Sequence, residues 1–283
     1  MDSRLRGPDS AVMVELRNLS VAPAPGAKSA ALRGLSLRIE PGEQVAVIGA
    51  SGSGKTTLLL ALACALQPLS GELQLFGAHP WQLASRERQR LRARSFYAPQ
   101  VPPLPPRQRV VTAVLAGRLP SMGLAASLRT LWHPPQAGVA QEALVALDVG
   151  DKLWERVDRL SGGERQRVGL ARALVSQAEM WLIDEPLSSL DPTRAQRVMD
   201  VLTTRARLDG RTLVCSLHQV AVARERFARI VALRDGECVY DGPSSGLSDE
   251  ALRVLYADTD LQATPVPDAP AAPAGALPET MCR

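Results

Sequence analysis

A chain of 283 residues, 46% hydrophobic and 22% charged, has the makeup of a folded protein with a large buried core, in one large or two closely joined domains. Its formal net charge of +4 makes the surface mildly basic, compatible with an anionic lipid face or a nucleotide but too weak to demand nucleic acid. The longest purely apolar run, Leu58 to Leu66, falls far short of the roughly 20 residues that cross a hydrocarbon core, which argues against a membrane span.

From the first residue, Met1 to Pro8 lacks the apolar stretch of a secretory signal, so the chain is expected in the cytoplasm. Cys64, Cys215, Cys238 and Cys282 are scattered without CxxC pairs, which predicts buried structural thiols in a reducing compartment and no metal site built from them. Val12 to Leu16, Ala31 to Ile39, Gln44 to Ile48 and Glu72 to Phe76 read as strands, being short apolar or alternating runs broken by Gly, Pro and Asn. Between the last two, Lys55 to Leu66 reads as a helix. Arg86 to Arg94 reads as a charged, exposed helix, and Pro99 to Pro106 forces a loop or polyproline-like segment.

From Val110 to Leu147 the apolar residues recur at helical spacing with a break at His133-Pro134-Pro135, predicting a small helical subdomain. After Phe76, strands are expected to return only beyond it: Gly163 to Val175 reads as a helix, Met180 to Ile183 as a buried strand, Pro192 to Arg207 as a helix and Thr212 to Leu217 as a strand. That alternation predicts a mostly parallel sheet covered by helices. Ala263 to Pro278, dominated by Pro and Ala, buries too little apolar surface to offset its chain entropy, so residues 259–283 are expected to form a disordered tail.

Three segments carry chemistry. Gly49-Ala50-Ser51-Gly52-Ser53-Gly54-Lys55-Thr56 fits G-x-x-x-x-G-K-[ST] between a predicted strand and a predicted helix, the context that pattern needs. Its glycines let backbone N–H groups close on a β-phosphate, and the helix N-terminus adds favourable dipole charge. Lys55 is expected to put its charge on the β- and γ-phosphates, Thr56 to ligate Mg²⁺, and Thr57 to donate to the α-phosphate. A glycine-rich turn alone would not carry this reading; the flanking strand and helix do.

Met180-Trp181-Leu182-Ile183-Asp184-Glu185 is an apolar run ending in two acids, which sets both at the carboxyl end of a buried strand, the edge where such sheets bind ligands. Asp184 is expected to hold Mg²⁺ through water and Glu185 to polarise the attacking water as general base. Strands commonly end in solvated acids, so this pair gains weight from its company. Leu160-Ser161-Gly162-Gly163-Glu164-Arg165-Gln166-Arg167 starts a second helix with Ser and two Gly, a second anion-binding N-terminus that could equally be an ordinary Ser cap. Two such sites on one chain are explained if the second closes over the γ-phosphate held by another copy, sandwiching two ATP molecules in a head-to-tail pair.

Taken together, Gly49 to Thr57, Gln100, Leu160 to Gln166, Ile183-Asp184-Glu185-Pro186, Ser189-Leu190-Asp191 and His218 resemble the ordered motifs of ABC-transporter nucleotide-binding subunits, over roughly Val12 to Pro243. The resemblance implies an α/β phosphate-loop ATPase core with a mostly parallel sheet, an antiparallel β subdomain and a small helical subdomain. It places the cassette at residues 10–258, with the helical part inserted at about 100–160. It implies ATP hydrolysis with ATP and Mg²⁺ bound, using Lys55, Glu185 and His218 in catalysis.

On the same basis Gln100 resembles the lid glutamine that senses Mg²⁺ and the membrane partner. Asp191 resembles the dimer-interface aspartate, and His218 the switch histidine that contacts the γ-phosphate and positions Glu185. Ser161, Gly162 and Gly163 would complete the partner copy's nucleotide site. His79 and His133 read as surface residues. The implied partners are a second cassette, integral-membrane permease subunits and, through the permease, a solute-binding protein, at the cytoplasmic face of the inner membrane, with no nucleic acid.

One departure from the family concerns the base: the resemblance implies an aromatic ring between the first two strands to stack on adenine, yet Ser20 to Ala30 has none; such stacking is worth roughly 1–3 kcal/mol by analogy with nucleic-acid platforms, so adenine selectivity is expected to be weaker than usual. For cargo, Val114 to Leu119 and Ser127 to Trp132 resemble the same stretches of bacterial phosphonate-import ATPases. Another small-solute importer is the runner-up reading; a single cassette with no heptad run argues against a soluble ABC ATPase of translation or DNA repair, and Glu185 and His218 argue against a binding module without turnover.

Overall fold

The computed structural model describes residues 12–27, 29–121, 136–248 and 252. The expected tail at 259–283, the His133-Pro134-Pro135 break and Ser127 to Trp132 lie outside them. Nine strands and seven α-helices follow in chain order among the described residues. These are β1 Val14–Val21, β2 Leu32–Ile39, β3 Gln44–Ile48, α1 Lys55–Leu62, β4 Pro68–Leu75, α2 Ser85–Arg92, β5 Ser95–Ala98, α3 Val110–Leu115 and α4 Ala137–Ala146. Then come α5 Gly162–Val175, β6 Met180–Asp184, α6 Pro192–Leu208, β7 Thr212–Leu217, α7 Val220–Arg226, β8 Arg229–Arg234 and β9 Glu237–Pro243.

Two sheets form. One is antiparallel, in the order β2-β1-β4; the other has six strands in the order β5-β6-β7-β3-β8-β9, parallel except where β9 returns along β8. The middle strands are mostly apolar because both faces of a central parallel strand are covered. Every residue of β6 and β7 is buried. Alternation splits them between two cores: Ala46, Ile48, Trp181, Ile183, Leu213 and Cys215 pack with α3 to α7. On the other face Val45, Val47, Leu182, Val214 and Val231 pack with α1 and the antiparallel sheet. Each fully buried leucine of α1, Leu58, Leu59 and Leu62, contributes about 2 kcal/mol by removal from water, which fixes this helix between β6 and β7 on one side and the antiparallel sheet on the other. Among the described residues no helix is long and apolar enough to cross a membrane.

Several expectations need correcting. The helix expected to Leu66 stops at Leu62: Cys64 turns left-handed (φ 53°), its N–H donating to Ala61 O and that of Ala65 to Leu60 O, which closes the helix while Leu66 still packs in the core. Apolar periodicity outlasts the helix because burial does. Strands do not wait for the helical region, since β5 precedes it, and β8 and β9, missed in the sequence, complete the sheet. The strand expected over Glu72 to Phe76 runs from Pro68 to Leu75, with Leu69 to Glu72 exposed. His79 is half-buried rather than on the surface, and so is Cys238.

Candidate functional site

The carboxyl ends of β3, β6 and β7 lie side by side and present three loops along one edge of the sheet. From β3 the chain enters the loop starting at Gly49, whose φ of +151° and lack of a Cβ are both required: a side chain there would be driven into Leu233 O and Ser53 Oγ. Gly54, at φ +103°, caps α1 where a Cβ would stand 2.8 Å from Leu32 Cδ2. Lys55, 4% exposed, folds back to donate to Gly49 O at 2.9 Å and Ala50 O at 3.0 Å. Its Nζ is 4.0 Å from Glu185 Oε1. Burial pulls the Lys55 ammonium below the ordinary lysine range, opposed by the Glu185 and Asp184 charges.

Within this cradle, Ser53 is buried and its Oγ has no protein partner, the state of a hydroxyl waiting for a ligand oxygen. Ser51, Gly52 and Thr56 are exposed, Ala50 is half-buried and Thr57 is buried. A loop whose glycines, orphan hydroxyl and buried cation surround the start of a helix can hold a polyphosphate.

From β6 come Asp184, 3% exposed, and Glu185, whose side chain is 13% exposed. Asp184 accepts from Ser216 Oγ at 2.6 Å and from Tyr97 OH at 3.1 Å. Burial and the Asp184 charge push the Tyr97 phenol well above its usual range, so it donates. Glu185 sits in the left-handed region (φ 46°), uncommon for a side-chain-bearing residue, and is held at both ends of its peptide units. Its N–H donates to Ser216 Oγ at 2.9 Å, and its carbonyl accepts from Gln166 Nε2 at 2.9 Å. That twist turns the carboxylate toward Lys55 and against His218, whose Nε2 pairs with Glu185 Oε1 from the end of β7. Lys55, the Asp184–Glu185 pair and His218, from three separate stretches of the sequence, are thus one constellation. It can place a cation, a proton acceptor and an imidazole around a reacting phosphate.

The other sequence-derived residues lie elsewhere. Ser161 caps α5 in a reciprocal box: its Oγ accepts from Glu164 N at 3.3 Å and its N–H donates to Glu164 Oε2 at 2.7 Å. That backbone donor holds the Glu164 carboxyl below the usual range. Ser161 and Gly162 stand exposed, and Gly163 is so close to the 189 peptide that a Cβ would be 2.9 Å from Ser189 O. Asp191 caps α6, accepting from Arg194 N–H at 3.0 Å. Gln100 is exposed just past β5, two residues before Pro102, whose ring packs on Gly169 of α5 where any side chain would clash. The 20–30 segment brings no ring: its turn donates Ala27 N–H to Ala24 O, and Ala31 N–H ties back to Val21 O.

Sequence reasoning did not single out Ser216 or Tyr97 for the site, nor give Gln166 a role in it. Ser216 had a signal available: a polar residue inside an apolar strand must be paired where it is buried.

Comparison with known proteins agrees with this geometry. A family model described as ABC transporter matches residues 32–188. The chain is 56% identical over 258 residues to a phosphonates import ATP-binding protein PhnC of Polaromonas sp. (strain JS666 / ATCC BAA-500), covering 90% of this chain and 93% of that protein. It is 57% identical over 247 residues to phosphonates import ATP-binding protein PhnC 2 of Albidiferax ferrireducens (strain ATCC BAA-621 / DSM 15236 / T118), covering 86% and 89%. Among solved structures, the dimeric post-hydrolysis state of an ATP-binding cassette bound to ADP and Pi superposes with a TM-score of 0.69 at 29% identity, over 83% of this chain and all of that one.

Proposed function

Since this chain belongs to the ABC transporter family, we propose that it is the ATP-binding and ATP-hydrolysing subunit of an importer for phosphonates or a related phosphorus oxyanion. The observation that carries the ATPase reading is the contact line Lys55, Glu185, His218 at the mouth of the Gly49 loop. The cargo reading rests on the two PhnC relatives, which are more than half identical over most of their length.

In this reading the loop from Gly49 to Thr57 binds the triphosphate, Ser53 Oγ and the backbone N–H groups serving phosphate oxygens. Lys55 neutralises the charge that develops on the β- and γ-phosphates, and Glu185 accepts the proton of the attacking water. His218 keeps Glu185 turned toward that water and touches the γ-phosphate. Hard oxygen donors at Thr56 and Asp184 fit Mg²⁺, which takes one or two protein oxygens and fills the remaining places with phosphates and water. Once there, the ion would neutralise the β- and γ-oxygens, with Gln100 joining from the lid when the site closes.

A second cassette completes the site. Ser161 and Gly162 of one copy cover the γ-phosphate on the loop of the other, and Asp191 lies at the seam between them. Closure passes through the Gln100 region to integral-membrane permease subunits, fed by a solute-binding protein, at the cytoplasmic face of the inner membrane. Reconstitution of the chain with its permease and phosphonate-binding protein tests the cargo. Phosphonate should raise ATP turnover and drive uptake; stimulation by amino acids and none by phosphonate would reassign it to another small-solute importer.

A further inference from the structure

Ser216 lies in the middle of the six-stranded sheet, fully buried, with Asp184 of β6 on one side in register and Val47 of β3 on the other. A hydroxyl has one proton to give and two lone pairs. An ionised carboxylate only accepts and a peptide N–H only donates, so the two neighbours fix the orientation of this hydroxyl. It must donate to Asp184 Oδ1, at 2.6 Å, and accept from the Glu185 N–H, at 2.9 Å. One oxygen therefore bridges the side chain of residue 184 and the backbone of residue 185.

The consequence reaches both acids. Tyr97 occupies the second oxygen of Asp184 at 3.1 Å, so the carboxylate has a single rotation. Glu185 is held at φ 46°, a conformation that a side-chain-bearing residue keeps only where its surroundings enforce it. Its N–H is fixed by Ser216 and its C=O by Gln166. Relaxing that turn would swing the Glu185 carboxylate away from Lys55 and His218.

We propose that Ser216 is a positioning residue for ATP hydrolysis, its one hydroxyl setting the metal-facing carboxylate of Asp184 and the left-handed turn that aims Glu185. The inference rests on the roles given above to Asp184 and Glu185. An ordinary buried serine, merely satisfying its own polarity, would affect stability and leave the chemistry alone.

The test uses the full chain carrying Ser216→Cys, which keeps the volume but offers a weak donor, Ser216→Ala, and Ser216→Thr, which keeps the hydroxyl, beside Glu185→Gln. Removing a partner that orients a ligating group costs about 10–100-fold in activity or metal affinity. So kcat should fall about 10–100-fold in the Cys and Ala variants while KM for ATP moves less than about threefold. A second readout is equilibrium ATP binding with and without Mg²⁺: the gain that Mg²⁺ gives the wild-type chain should shrink in both, and Ser216→Thr should restore gain and kcat. Should Ser216→Ala fail to fold, the Cys and Thr pair carries the comparison. Wild-type kcat and Mg²⁺ gain in Ser216→Cys, with Glu185→Gln inactive, would overturn the Ser216 inference alone. Wild-type turnover in Glu185→Gln would overturn the site reading and this inference with it.

Discussion

The start of α5 and its buried middle behave differently. Toward its middle, Gln166 is 4% exposed and reaches the Glu185 carbonyl, joining a cluster in which Asp184, Glu185 and Lys55 are each held by two or more partners. At its start, Ser161 and Gly162 face outward, Ser161 being partnered within its own helix by Glu164 and by the Arg165 N–H. The first region is over-determined inside one chain; the second is preorganised but presents its N-terminus to whatever lies beyond. Chemistry that needs fixed geometry is built where the core can enforce it, and the surface left open is the one that a second copy would close.

The largest effect should come from the buried end. Glu185→Gln keeps shape and the His218 contact but cannot take a proton, so ATP turnover should fall by about 10²–10⁴-fold while ATP is retained and the dimer accumulates on a sizing column. Unimpaired turnover would show that the cluster is structural. Lys55→Ala should next remove most nucleotide affinity, a loss of about 1.5–3 kcal/mol or more for a charge-assisted contact, read by titration with a fluorescent ATP analogue. Unchanged affinity there would place the nucleotide elsewhere.

At the exposed end the effects are smaller and divide the two roles of Ser161. Ser161→Ala should cost about 1 kcal/mol of stability through the lost cap, seen as a lowered melting temperature of the monomer. It should also weaken ATP-driven dimerisation of the Glu185→Gln background; an intact dimer would mean that the exposed N-terminus is only a cap. The cap has a pH signature. Because the folded-state value of Glu164 lies below the unfolded one, its contribution is present above the ordinary glutamate value of 4.5 and is lost as pH falls through the folded value. Glu164→Gln should therefore flatten the part of the acid-melting curve below about 4.5, a modest change for a partly exposed group. The smallest effect concerns the base: with no ring in Ser20 to Ala30, ATP and GTP should bind within about tenfold of each other, and a larger gap would reveal another adenine contact.

The Pro-rich stretch after Gln100 shows how far the sequence could be read. Four prolines forbid a helix, and a loop follows directly. That Pro102 docks on Gly169 of α5, tethering the segment beside Gln100 to that helix, depends on two residues 67 positions apart meeting at a place where only glycine leaves room. The numbers of residues between motifs give their order, never their contacts.

The sequence alone determined the glycine-rich loop from Gly49, the acidic strand end and the capped helix, because each is local: a few glycines, a polarity change or a hydroxyl beside an N-terminus suffices to specify it. Only the tertiary structure decided that β3, β6 and β7 adjoin, that Ser216 bridges Asp184 to Glu185, and that Glu185 takes its left-handed turn. Those features arise from strand order and parallel register, which are set by packing both sheet faces at once and leave no mark on any single segment.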